Sequence, residues 1–123
     1  MKLDDIVFIS HDIDNEMKNS RIKNGDVLLN ITGASIGRCY YVDNHFSKGN
    51  VNQHVCIIRP NFKKILTKFL YFFLYSSFGQ TQINFHQNGG NREGLNSEQI
   101  KNFFFIVPTI DEQKQIIGFL LHR

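Results

Sequence analysis

An α+β domain with a mixed, mostly antiparallel sheet is the architecture that this 123-residue sequence predicts. Three observations carry that expectation. Short apolar runs of strand length are separated by turn signals through the first half, as in GDVLLNI (25–31) and RCYYV (38–42). A helical period then sets in, with apolar residues at 62, 65, 66, 69, 70, 73 and 74. The chain closes on FFFIVP (103–108), a buried strand, running into the helix of DEQKQIIGFLLHR (111–123).

Taken in order, DIVFI (5–9) reads as a short strand. Ser10 is placed to cap a short polar helix over 11–20, with acids in its first turn and Lys18 and Arg21 near its end. KNGD (23–26) is a turn, and VLLNI (27–31) and RCYYV (38–42) form a hairpin or bulged pair. VNQHVCIIR (51–59) is a further strand, stopped by Pro60. The helix that begins at Phe62 ends near 76–79, and a second short helix is expected over 80–85. Asn96 caps a third, with Glu98 and Gln99 in its first turn. The expected core is Val27, Leu29, Ile31, Cys39, Val55, Ile57, Ile65, Phe69, Phe73 and Ile106.

Composition narrows the function classes. With 41% hydrophobic and 13% aromatic residues, the chain has enough apolar surface to offset conformational entropy and is no disordered tail. Cys39 and Cys56 are its only cysteines, too few for a disulfide framework or a four-ligand zinc site. They read as small buried hydrophobes of a reducing cytoplasm. MKLDDIVFI has no signal-peptide character, and the longest apolar run, 69–75, is too short to span a bilayer. The net charge of +3 is unevenly spread. Residues 1–16 set Lys2 against five carboxylates, a net −4, whereas residues 17–101 set eleven Lys and Arg against four carboxylates, a net +7. A basic middle of this kind suits a polyanion partner or a plain solvated face.

NITGASIGR (30–38) is not a Walker phosphate loop, since no Gly-Lys-Ser/Thr follows it. Two readings of it stay open. One is a bulged turn in which Gly33 and Gly37 permit positive φ. The other keeps that turn and adds phosphate contacts from the hydroxyls of Thr32 and Ser35 and the guanidinium of Arg38. In HQNGGNREG (86–94), Asn88, Asn91 and Arg92 are of the types that pair with adenine and guanine edges, against the alternative of an ordinary polar loop. Asn52 and Gln53 of VNQHV and Lys23 of the KNGD turn complete the candidate DNA-binding set, with Lys23, Arg38 and Arg92 expected on one basic side. The five histidines are scattered, no triad spacing occurs, and no Asn-Pro-Pro-Tyr motif is present, so no catalysis, metal or cofactor is expected of this chain.

Together, GDVLLNITGASIGR (25–38), NVNQHVCIIRP (50–60), FLYFFL (69–74), GGNREGLNSEQIKNFFFIVP (89–108) and DEQKQI (111–116) resemble the specificity subunit of Type I restriction–modification systems. The resemblance implies a single target-recognition-type domain over 1–108, lacking the family's usual N-terminal portion, and the start of a connecting coiled-coil helix over 109–123. It implies double-stranded DNA as a partner, one half of a bipartite target being read. It also implies methyltransferase and restriction subunits as partners in the cytoplasm, with S-adenosylmethionine on the methyltransferase and no membrane. Gln113, Ile117 and Leu120, with Ile110, keep coiled-coil spacing and are the candidate partner-binding residues; a second specificity half or self-association is the further option. Two rival readings stay open: a protein-interaction module that reads no DNA, and the recognition domain of a single-chain restriction–methylation enzyme.

Overall fold

Strand pairing follows the apolar runs, and it sorts them into two sheets. The computed structural model describes residues 6–8, 13–16, 22–43, 55–87 and 94–122. Its strands are β1 (Ile6–Phe8), β2 (Ile13–Glu16), β3 (Val27–Asn30), β4 (Cys39–Tyr41) and β5 (Val55–Pro60). Then come α1 (Thr67–Tyr75), α2 (Ser77–Gln87), α3 (Ser97–Lys101), β6 (Phe104–Ile106) and α4 (Ile110–Leu121). One sheet has the order β2-β5-β3-β4 and the other pairs β1 with β6. Every described pairing is antiparallel, which makes this the expected α+β class.

The hairpin expected over 27–42 is present, with Leu29 opposite Cys39 on one side and Cys56 on the other. That row faces α1, which packs on β3 and β4. Alternation holds in β3, whose Val27 and Leu29 are buried while Leu28 and Asn30 are half-buried. It fails in β5, where Cys56 and Ile58 join the main core and Ile57 is also buried, on the opposite face. A central strand covered on both sides reads as a continuous apolar run.

The helix expected over 11–20 is replaced, in its described part, by β2 on the edge of the sheet, with Ile13 opposite Pro60. HDIDNEMKNS offers no apolar stripe for a helix to bury, and β5 supplies backbone partners instead. The helix expected from Phe62 starts later, at Thr67, because Asn61 organises 62–65 as a turn through its carbonyl and side-chain oxygens. The expected short helix over 80–85 is longer, Ser77–Gln87, and α1 leads into it through extended Ser76.

Of the expected core, Val27, Leu29, Ile31, Cys39, Ile57, Ile65, Phe69 and Phe73 are buried, whereas Val55 and Ile106 are half-buried. The core also takes in Leu70, Leu74, Ile83, Leu95, Ile100, Phe103 and Phe105. Both later helices open on capping boxes. Asn96 and Gln99 exchange side-chain and backbone hydrogen bonds at the start of α3, and Thr109 and Glu112 do the same for α4.

Candidate functional site

The NITGASIGR segment closes the β3–β4 hairpin. Asn30 donates its N–H to Arg38 O (2.9 Å) and accepts the Gly37 N–H on its own carbonyl (3.0 Å). Between them, residues 33–35 form one 3-10 turn, and the Arg38 N–H donates to Ser35 O (3.0 Å). Gly33 and Gly37 take φ of +76° and +94°, as expected for residues free of a Cβ. The turn is pinned from two directions. The side-chain amide of Gln80 on α2 donates to Gly37 O (3.2 Å) and Leu74 O (2.8 Å). From the other direction, the Leu95 N–H donates to Ile31 O (2.8 Å). That approach demands Gly94, at φ +121°, because a Cβ there would stand 2.1 Å from Ile31 O.

Arg38 is exposed on this turn, and Thr32 and Ser35 are half-buried. Asn52, Gln53, Asn88, Asn91 and Arg92 lie outside the described residues. The described chain that follows each polar segment does reach the turn: Val55 pairs with Asn30, and Gly94–Leu95 lies against Ile31.

Lys23 stands elsewhere. It precedes β3 while Arg38 follows the turn, so the strand, about 13 Å long at 3.3 Å per residue, separates them along the sheet. Both are exposed and stand at opposite ends of that strand, and Arg92, the third member of the expected basic side, lies outside the described residues. At the Lys23 end, Asp26 is fully buried and held by Arg59, whose Nε and Nη2 donate at 2.8 and 2.9 Å. The Lys23 N–H adds a third bond, at 2.7 Å, to the same carboxylate. A buried carboxylate is tolerable only with such partners, so the GD of GDVLL is a structural anchor.

The tail departs from the coiled-coil expectation at one position. Gln113 is fully buried in its own domain, accepting the Leu66 N–H (2.8 Å) and donating to Lys64 O (2.8 Å) and Pro108 O (2.9 Å). Its place is therefore in the frame and not on a contact surface. Ile117 packs partly on the core. Leu120 lines an open apolar groove of about 220 Å³ together with Phe72, Phe78, Ile106 and Ile116. Beside it, Phe119 is 70% exposed.

One aromatic feature escaped the sequence reading: all four tyrosines gather where β4 meets α1. The Tyr75 hydroxyl accepts the Cys39 N–H at 3.0 Å. Tyr71 meets Tyr41 and Tyr75 edge-on, at centroid distances of 4.9 and 5.2 Å. The Lys68 ammonium lies 5.7 Å from the Tyr41 ring centre. Desolvation, and then the neighbouring thiol and phenols, raise the Tyr71 pKa. Burial alone pushes the Cys39 and Cys56 thiols up to about 12.

The fold of this chain is shared with solved structures. A chain from a study of complex assembly and conformational transition of the type I R-M system matches 95% of this one, and 37% of itself, with a TM-score of 0.76 and 13% identity. The HsdS subunit from Thermoanaerobacter tengcongensis matches over 85% of this chain and 28% of its own, at 0.69 and 18%. In sequence, 109 residues are 35% identical to the Type I restriction enzyme EcoBI specificity subunit of Escherichia coli, covering 89% of this chain and 23% of that protein. Residues 3–121 match the family described as the Type I restriction modification DNA specificity domain, and the chain belongs to it. It spans about a quarter of the length of the curated relative.

Proposed function

We propose that this domain recognises DNA sequence as one half-site reader of a Type I restriction–modification complex, and that it does so without catalysing a reaction. The observation that carries the reading is the doubly pinned turn. It is a braced end of the sheet that presents Arg38, and Val55 and Gly94, the described residues that follow the two polar segments, lie against it. On this reading Thr32, Ser35 and Arg38 hold phosphate, while Asn52, Gln53, Asn88, Asn91 and Arg92 supply base-edge or backbone contacts. Lys23, at the far end, adds to the long-range field. The cytoplasm is the compartment this function needs; among the described residues no helix is long and apolar enough to cross a membrane.

Methyltransferase and restriction subunits are the protein partners of this reading, with S-adenosylmethionine on the methyltransferase. The apolar groove favours α4 as the docking element, through Leu120 and Ile117, alone or against a second copy. The test is selection from a random duplex library, followed by affinity measurements across salt concentrations. Enrichment of a defined sequence is expected, and Arg38→Ala should lower the log–log salt slope by about 0.9 for each phosphate that it leaves unneutralised. No enrichment, with an unchanged slope, leaves the interaction-module reading in its place.

A further inference from the structure

We infer that the tyrosine edge formed by β4 and α1 is a second DNA contact, holding phosphate backbone beside the turn without reading bases. This rests on the DNA-recognition reading above. Tyr75 carries the argument. Its oxygen is fixed by the Cys39 N–H, and among the described residues its own O–H hydrogen has no acceptor. A phenol is both donor and acceptor, so Tyr75, 41% exposed, keeps a donor for an acceptor from outside the domain. A phosphodiester oxygen is the acceptor that suits it.

Continuity and charge point the same way. Cys39, which holds Tyr75, directly follows exposed Arg38, and Lys68 lies over Tyr41. A cation therefore stands toward each end of the strip. The rings are engaged with one another: Tyr71 meets Tyr41 and Tyr75 edge-on rather than lying open and parallel. Such a surface is a poor stacking platform for bases, and it lacks the desolvated apolar centre of a protein hot spot. Phenol and ammonium donors along an edge instead match phosphate contacts, which position a duplex without specifying it. Tyr40, 53% exposed, adds a phenol on the other face of the same edge strand.

The test compares Tyr75→Phe, Tyr40→Phe and Lys68→Gln with wild type on two duplexes, one enriched from the library and one scrambled. Expected is a several-fold loss of affinity, equal on both duplexes, with the salt slope reduced by about 0.9 in Lys68→Gln. Thermal melting runs in parallel, because Tyr75→Phe also frees the Cys39 N–H; Tyr40→Phe carries no such burden. Wild-type affinity in all three variants overturns the inference, as does a loss confined to the enriched duplex or to methyltransferase binding. Arg38→Ala separates the two claims. If it weakens binding while the strip variants do not, the half-site reading stands and the strip falls. If wild type binds neither duplex, both fall.

Discussion

Replacing Gln113 by leucine asks whether α4 belongs to the domain's own frame. Leucine retains most of the buried apolar volume and removes three hydrogen bonds, those to the Leu66 N–H, Lys64 O and Pro108 O. Lys64 lies in an exposed turn, so water can take over its carbonyl. The Pro108 carbonyl is buried, and the Leu66 N–H sits at the N-cap of α1, where no side chain supplies another acceptor. Two orphaned groups at about 1–3 kcal/mol each give an expected loss of roughly 3 kcal/mol. Urea unfolding followed by circular dichroism reads it, with exposed Lys114→Met as the control. Gln113→Glu sharpens the test. Its carboxylate would face two carbonyls, raising its folded pKa, so this variant should regain stability relative to wild type as pH falls from neutral toward 4. A Gln113→Leu variant within about 0.5 kcal/mol of wild type, the scatter of ordinary surface substitutions, refutes the reasoning.

Four further outcomes are expected. Phe73→Ala removes a ring 4.2 Å from that of Phe105 and should cost about 3 kcal/mol in the same unfolding assay, the low end for buried Phe because Phe73 borders the groove. Gly94→Ala forces a Cβ onto Ile31 O and should detach Leu95 from the turn, seen as faster amide exchange at Leu95 and weaker duplex binding. The buried thiols should make stability fall as pH rises from about 9 toward 12, because the unfolded chain releases protons that the folded one keeps. Cys39→Val and Cys56→Val should each flatten that alkaline limb, monitored by melting temperature. Ile117→Asp with Leu120→Asp should lower methyltransferase binding or self-association in sedimentation, whereas a wild-type profile removes α4 as an assembly element.

The hairpin was legible because β3 alternates along one buried face, and α3 because Asn96 and Gln99 are the residue types a capping box needs. The same logic was available at α4, where Thr109 precedes Glu112 by three, and the sequence reading passed over it. Residues 11–20 misled because charge order at helix ends counts for little without an apolar stripe to bury, and β5 offered a backbone partner that no local pattern reveals. Gln113 fits a heptad position by spacing alone. An amide set within an apolar stripe is itself the sign of a backbone partner, although only tertiary structure shows which one. The tyrosine strip had a partial signal, since Tyr71 and Tyr75 lie four apart on one helix face. Their meeting with β4 did not. In the candidate site, the glycines announced the turn. The two clamps on it, from Gln80 and Leu95, join residues 43 and 64 positions apart in the chain and leave no local trace.

The clamp between Leu95 and Ile31 is made wholly of backbone, so its strength does not depend on which side chains surround it. Immediately after residues 88–93, the close approach to Ile31 O restricts position 94 to glycine. Because that clamp uses no side chain of residues 88–93, substitutions at those six positions should leave the Leu95–Ile31 bond in place. On the DNA-recognition proposal, a library randomised at 88–93 should therefore hold Gly94 constant, since one that frees it would lose members to misfolding first.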